Sequence, residues 1–163
     1  MVNDETPRFT TTTRQLARNI AKKLANTDWV PEGIEKPLVF LDGISGEIDI
    51  RNRPTVVVVP KNATGLWKST PEHIVEVVLA VNSAYFVSNP ALSNKDEEGV
   101  EIFGAGDVLD SLTFNLLNMV KHSTPGAILS DVQLEYSMDS LPVQYVSITA
   151  TYRQNAAYGD FCN

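Results

Sequence analysis

The sequence predicts an α+β fold in a single domain, with a mixed, mainly antiparallel β-sheet flanked by two main α-helices. Three observations support this prediction. A run of valines is typical of a strand inside a sheet, two segments have the apolar spacing of amphipathic helices, and the last third alternates apolar and polar residues. With 163 residues, of which 43% are hydrophobic, the chain is long enough to bury one sizeable core.

The strand at the centre of this prediction is the run of four valines at residues 56–59, which lies between Pro54 and Pro60. β-Branched side chains favour the pleated backbone. An unbroken apolar run of this length indicates a strand buried on both faces, because a strand exposed on one face would alternate. Proline is tolerated at strand ends. We therefore expect residues 55–59 to lie in the middle of a sheet, with a layer on each face.

The first helix should follow a polar, flexible arm at residues 1–11. Thr12 can cap it, and Gln15 completes a capping box three residues later. An apolar stripe recurs at every fourth position, at Leu16, Ile20 and Leu24. A second row with the same spacing carries positive charge on another face, at Arg14, Arg18 and Lys22. The helix should end near residue 26.

Short strands and a polar loop are expected after this helix. Residues 38–41 and the alternating residues 48–50 indicate a pair of strands that leads to the valine run. Residues 60–72 are typical of a polar loop, in which Trp67 is either a buried staple or an exposed interface anchor. The β-branched residues 73–80 indicate a strand that pairs with the valine strand.

The second helix is predicted at residues 107–121, after a long polar stretch at residues 88–104. Its apolar residues repeat at helical spacing. Asp107 and Asp110 lie in its first turn and Lys121 lies in its last, both placements that the helix dipole favours. We expect this helix to cover the sheet.

The last third of the chain predicts an antiparallel hairpin. Apolar and polar residues alternate through residues 132–136 and again through residues 146–152, and a turn is expected between them. The pattern is lost in the C-terminal tail at residues 154–163. The core of the domain is therefore expected to span residues 12–153.

No catalytic or metal-binding pattern stands out in the sequence. His73 and His122 are the only histidines, and neither has the spacing of a ligand set or a nucleophile pair. Gly104 and Gly106 before the second helix lack the third glycine of a dinucleotide-binding loop. The acidic residues 96–98 lack the spacing of a calcium loop. We therefore expect no enzyme activity, no metal site and no cofactor.

Composition restricts the setting of the protein. No apolar run approaches the length of about 20 residues that spans a bilayer, so we expect no membrane segment. The N-terminus lacks the basic and apolar regions of a signal peptide. Cys162, the single cysteine, cannot form an intrachain disulfide, which is typical of a reducing compartment.

The uneven charge suggests a contact between copies of the chain. The formal net charge is −7, yet residues 8–23 contain basic residues and no acid, whereas the charged residues within 95–110 are six acids and one lysine. Complementary patches of this kind orient docking, although two solvated faces would give the same pattern. The candidate subunit or partner interface comprises Arg14, Arg18, Lys22, Trp67, Lys68, Asp96, Glu97 and Glu98.

The order of these elements resembles the tail terminator, or tail completion, proteins of long-tailed bacteriophages. The resemblance covers roughly residues 12–153. It rests on a leading helix at residues 14–25, the proline-framed valine strand at residues 54–60, a second amphipathic helix at residues 107–121 after a variable loop, and a closing hairpin that ends at residues 146–152. The loop at residues 88–104 is long for the pattern.

The resemblance implies a structural virion protein without enzyme activity. Such proteins form a ring, typically a hexamer, on the end of the tail tube. The ring ends polymerisation of the tube protein and offers a surface to the head's connector or stopper protein. It encloses the DNA passage without sequence-specific binding. The implied location is the tail or neck of the virion, after assembly in the host cytoplasm.

Two alternatives remain open from the sequence. The first is a head-tail joining or head completion protein of the same neck. The second is a small non-viral enzyme or ligand-binding domain with an apolar pocket around Trp67 and Tyr85.

Overall fold

The structure of the chain is a computed structural model. The structure describes residues 12–42, 53–66, 70–82, 106–122, 127–137 and 143–154. Within helix residues 106–109 only the backbone is described. These ranges contain two helices and five strands in one sheet. The α+β prediction is therefore confirmed.

The first helix, α1, spans Thr13–Asn26 and begins with the predicted capping box. The Thr12 hydroxyl accepts a hydrogen bond from the Gln15 backbone, and the Gln15 side chain accepts one from the Thr12 backbone. The pairing satisfies donors that a helix start otherwise leaves free. The predicted apolar stripe is buried, together with two alanines beside it, at Leu16, Ala17, Ile20, Ala21 and Leu24.

The second helix, α2, spans Gly106–Lys121, as the apolar spacing predicted. Its buried residues Leu112, Leu116 and Val120 recur every four positions, which places one stripe against the sheet. Lys23 of α1 donates a hydrogen bond of 2.6 Å to the carbonyl of His122, which follows α2. A cation at this end of a helix is favoured by the helix dipole.

The sheet has the strand order β1-β2-β3-β5-β4. The strands are β1 (Leu38–Leu41), β2 (Thr55–Thr64), β3 (Glu72–Asn82), β4 (Ala127–Ser137) and β5 (Val143–Gln154). β1 pairs with β2 in parallel, and the remaining pairs are antiparallel. The predicted pairing of residues 73–80 with the valine strand and the predicted closing hairpin are both confirmed.

Both helices pack on the same face of the sheet. The core cluster joins their buried residues to alternate positions of the three inner strands, which include Val58 on β2, Val77 on β3 and Ile148 on β5. In register these three residues lie side by side. The helices that the structure describes thus form one layer, whereas the valine run predicted a layer on each face.

The valine strand is nevertheless buried on both of its faces. Val56 and Val58 point to the helices and are fully buried, while Val57 points the other way and is only 8% exposed. Thr55 and Ala80, paired across β2 and β3, are also buried on that second face. The prediction of an inner, doubly buried strand is therefore confirmed at residues 55–58.

The predicted polar loop at residues 60–72 is wrong at both ends. β2 continues through Pro60 to Thr64, and β3 begins at Glu72. Proline is tolerated here for two reasons. β1 ends opposite Val58, so the β1 side of Pro60 needs no donor, and the register shifts between Pro60 and Asn62 as in a β-bulge.

Candidate functional site

The first candidate surface is the basic face of α1, which comprises Arg14, Arg18 and Lys22. All three side chains are exposed. Arg14 donates a hydrogen bond of 2.9 Å from Nη2 to Oδ2 of Asp42. Asp42 directly follows β1 and has a left-handed backbone with φ of 72°, which Asp adopts more readily than most residues. This contact places the basic face on the side of α1 nearest to β1.

The three cations of the basic face are not equivalent. Arg14 has its charge paired within the chain, in an exposed ion pair that contributes no more than about 1 kcal/mol. Neither Arg18 nor Lys22 forms an ion pair with any residue in the described ranges. Of the three predicted cations of the basic face, Arg18 and Lys22 are therefore the two whose charge is available to a partner.

The other predicted interface residues are Trp67, Lys68, Asp96, Glu97 and Glu98, and all of them lie outside the described residues. The same holds for Tyr85, which the alternative ligand pocket requires. The pairing of the basic helix with an acidic loop therefore stays a prediction.

A second surface, which sequence reasoning missed, lies at β4. We define the β4 edge as Asp131, Leu134, Glu135 and Tyr136. Leu134 and Tyr136 are 42% and 54% exposed although they are large and apolar. In register they lie beside buried residues of β5, so they point to the helix side of the sheet. Because α2 packs over β5, the neighbouring strand remains uncovered at these positions.

The exposed flank of α2 extends the β4 edge. Asn115 on one flank donates a hydrogen bond of 2.8 Å to the Trp29 carbonyl, on the α1 side. The helical repeat places Asp110 and Phe114 toward the other flank, on the β4 side. Phe114 is 66% exposed and Asp110 is also exposed. The helix thus adds one exposed apolar residue and one exposed acid on the β4 side of the molecule.

Exposed acids lie on both faces of the sheet at this end of the molecule, and Arg153 on the neighbouring β5 is paired with Glu72. Asp131 and Glu135 lie on β4 and Asp110 lies on α2, and all three are exposed. None of them forms an ion pair with another residue of the described part of the chain. The alternation at residues 132–136 did predict the strand. Only the strand order shows that this strand lies at the edge of the sheet, where α2 does not cover it.

A buried polar cluster joins α1 to the sheet at His73, whose side chain is fully buried. Its Nδ1 lies 2.9 Å from the Thr13 hydroxyl, and its Nε2 lies 3.2 Å from Oε1 of Gln154 on β5. With that amide orientation, Nε2–H donates to Gln154 and Nδ1 accepts from Thr13. The cluster therefore satisfies the neutral imidazole and has a structural role.

Burial lowers the pKa of His73 below its ordinary value of about 6.5, and the hydrogen bond to Gln154 opposes this shift only in part. The nearest charged pair in register, Glu72 and Arg153, lies on the opposite face of the sheet. The unfolded chain therefore binds a proton more readily than the folded chain as the pH falls through 6.5.

We predict that acidification destabilises the fold through His73. Its contribution is fully present above pH of about 6.5 and declines toward the lowered folded-state pKa, by at most about 1.4 kcal/mol per pH unit. Urea unfolding between pH of about 7.5 and 5.5 measures this slope. His73→Gln should be less stable at neutral pH but should have a flatter profile, and equal slopes would contradict the assignment.

A shallow cavity of about 380 Å³ lies where the end of α1 meets α2. Asp28, Trp29, Asn115 and Met119 contribute to its lining. The Trp29 indole is held by a hydrogen bond of 3.0 Å to the Leu24 carbonyl, so it closes the end of α1. The cavity is open to solvent. Packing between the end of α1 and α2 accounts for its walls as well as a ligand site would.

Within the described ranges, no group of three or more His, Cys, Asp or Glu side chains could hold a metal ion. None of the described helices is both long and apolar enough to span a membrane. No protein-family model matches the chain, and no curated protein matches it either.

Proposed function

We propose that the protein is a structural component of a bacteriophage neck that caps the tail tube, ends its polymerisation and provides the surface for head attachment. In this role it acts as a ring of identical subunits, and a hexamer is the expected number. Its partners are the tail tube protein on one side and the head connector or stopper protein on the other. The ring encloses the DNA passage, and no enzymatic activity is part of the proposal.

The observation that carries the proposal is the order of the elements. A leading helix, a valine strand inside the sheet, a second amphipathic helix and a closing hairpin follow each other, as in the resemblance drawn from the sequence. The fold itself supports only the architecture, because one fold can serve many functions.

The two surfaces described above support a role in assembly. A ring needs a head-to-tail contact between two different faces of the same subunit. Among the residues that the structure describes, cations on α1 and acids near β4 have no ion-pair partner, and apolar residues of β4 are exposed. An acidic subunit, with a formal net charge of −7, would also attract DNA only weakly, as a pore that lets DNA slide requires.

Electron microscopy of particles made without the gene for this chain tests the proposal. We expect tails of uncontrolled, excessive length, because nothing then stops addition of tube protein. Supplying the wild-type chain from a second copy should restore uniform tails, which controls for effects on neighbouring genes.

Other outcomes would redirect or overturn the proposal. Tails of normal length beside full, unattached heads would indicate the head-tail joining role instead. Normal infectious particles, or a genome that contains no phage genes, would overturn the assembly function altogether.

A further inference from the structure

We infer that the β4 edge of one subunit docks against the β1 edge and the basic face of α1 in a second copy of this chain. The inference deepens the proposed ring function and rests on it for its biological role. It names the two sides of the subunit contact and the chemistry that joins them.

The first argument is the position of the two surfaces. In the strand order β1-β2-β3-β5-β4, β1 and β4 are the two edges of the sheet formed by the described strands. α1 packs over β1 and β2, and the Arg14–Asp42 ion pair places the basic face on the β1 side. The basic face and the β4 edge therefore lie at opposite ends of one subunit, as a head-to-tail contact requires.

The second argument is the uncovered apolar surface. Leu134 and Tyr136 point to the helix side of β4, beyond the reach of α2. If β4 lies beside β1 of the next copy, α1 of that copy, which packs over its own β1, would also cover Leu134 and Tyr136. The aliphatic stems of Arg18 and Lys22 can pack on such a surface while their charges stay in water.

The third argument is charge. Arg18 and Lys22 on α1 have no ion-pair partner among the described residues, and neither does Asp110 on α2, in the same layer at the other end. Asp131 and Glu135 pair in register with Thr151 and Ser147, so they point to the opposite face of β4 and contribute only to the overall charge of this edge. Attraction between such sets acts over a Debye length of about 8–10 Å, so it steers docking without requiring individual pairs. The cations of α1 at one end and Asp110 at the other favour a second copy in the same orientation.

Asp131 and Glu135 disfavour pairing of β4 with β4 of another copy. An antiparallel pair centred on Gln133 would set Asp131 of each copy opposite Glu135 of the other, and like charges directly across a sheet are destabilising. A two-fold dimer through this edge is therefore the less stable arrangement, and a head-to-tail contact with β1 remains.

Charge exchange between the two edges tests the contact. The variants are the double reversal Arg18→Glu with Lys22→Glu, the single reversal Asp110→Lys, and their combination. Sedimentation velocity over a range of protein and salt concentrations measures self-association. We expect the double reversal on α1 and the Asp110 reversal each to weaken self-association at least about tenfold, and the combined variant to recover part of the loss.

Two matched controls separate this contact from general effects. Glu32→Lys makes the same change in net charge as Asp110→Lys, in the exposed loop after α1, and it should not weaken self-association. Leu134→Ser with Tyr136→Ser should weaken it. Ile128→Ser, at a residue 66% exposed on the opposite face of β4, should not. Thermal unfolding of each variant confirms that it remains folded.

The inference is overturned if the reversals leave self-association unchanged, if the combined variant shows no recovery, or if the wild-type chain stays monomeric even at low salt. Its failure is distinct from failure of the proposed function. Tail length in particles without the gene decides that function, whichever surfaces join the subunits.

Discussion

Placing a lysine at Val58 is expected to destabilise the protein by about 4 kcal/mol or more. Val58 is fully buried on the helix side of β2, within the main core cluster. The substitution removes apolar burial worth about 1.5–3 kcal/mol and buries an ammonium group with no partner. Because domains of this size are stable by only about 5–15 kcal/mol, Val58→Lys should approach complete unfolding.

The same substitution at Val57 tests whether the strand is buried on both faces. Val57 points away from the helices and is 8% exposed, so Val57→Lys should also cost about 3 kcal/mol or more. Val59 is the matched control, because it points to the same face as Val57 but is only half-buried and lies opposite Glu76. Val59→Lys should change stability by less than about 1 kcal/mol.

Urea unfolding of the three variants measures these differences. If Val57→Lys proved as mild as Val59→Lys, the second face of β2 would be accessible to water. The valine run would then be a strand buried on one side only, against both the sequence-based prediction and the observed exposure.

The elements that the sequence predicts best are those whose signal is local. The stripe of Leu16, Ile20 and Leu24 and the capping residue Thr12 define α1 without reference to any other part of the chain. The alternation around Ile148 defines β5 in the same way.

The extent of β2 could not be predicted, because it depends on a neighbouring strand. Pro60 signals a strand end only if both sides of the strand are paired at that point. β1 stops opposite Val58, so β2 continues past Pro60 into the polar residues up to Thr64. The length of one strand is thus set by the length of the next, which a local pattern does not contain.

The candidate site could be predicted only in part, because it also depends on where other elements lie in the fold. The spacing of Arg14, Arg18 and Lys22 predicts a basic face, but the chain-internal ion pair of Arg14 depends on where Asp42 lies in the fold. Leu134 and Tyr136 have the pattern of core residues, and only the position of β4 at the sheet edge exposes them.

The second large effect is expected at Tyr152, which joins β5 to the end of α2. Its ring is 1% exposed, lies beside His73 and Leu129 in register, and its hydroxyl donates a hydrogen bond of 2.7 Å to the Val120 carbonyl. Tyr152→Ala should destabilise the protein by about 3–5 kcal/mol, since it leaves a large cavity between the sheet and α2.

Tyr152→Phe separates the ring from the hydroxyl. It keeps the packing and removes one buried hydrogen bond, so a loss of about 1–1.5 kcal/mol is expected. Tyr136→Ala, on the exposed β4 edge, is the matched control and should change the stability of the monomer by less than about 1 kcal/mol. Urea unfolding at low protein concentration measures all three.

The comparison of Tyr152 with Tyr136 also tests whether each tyrosine acts in folding or in self-association. A tyrosine that holds α2 on the sheet should affect folding, whereas one on a bare edge should affect self-association and leave folding almost unchanged. If Tyr136→Ala destabilised the monomer as strongly as Tyr152→Ala, Tyr136 would belong to the core, and the β4 edge would lose its apolar contact surface.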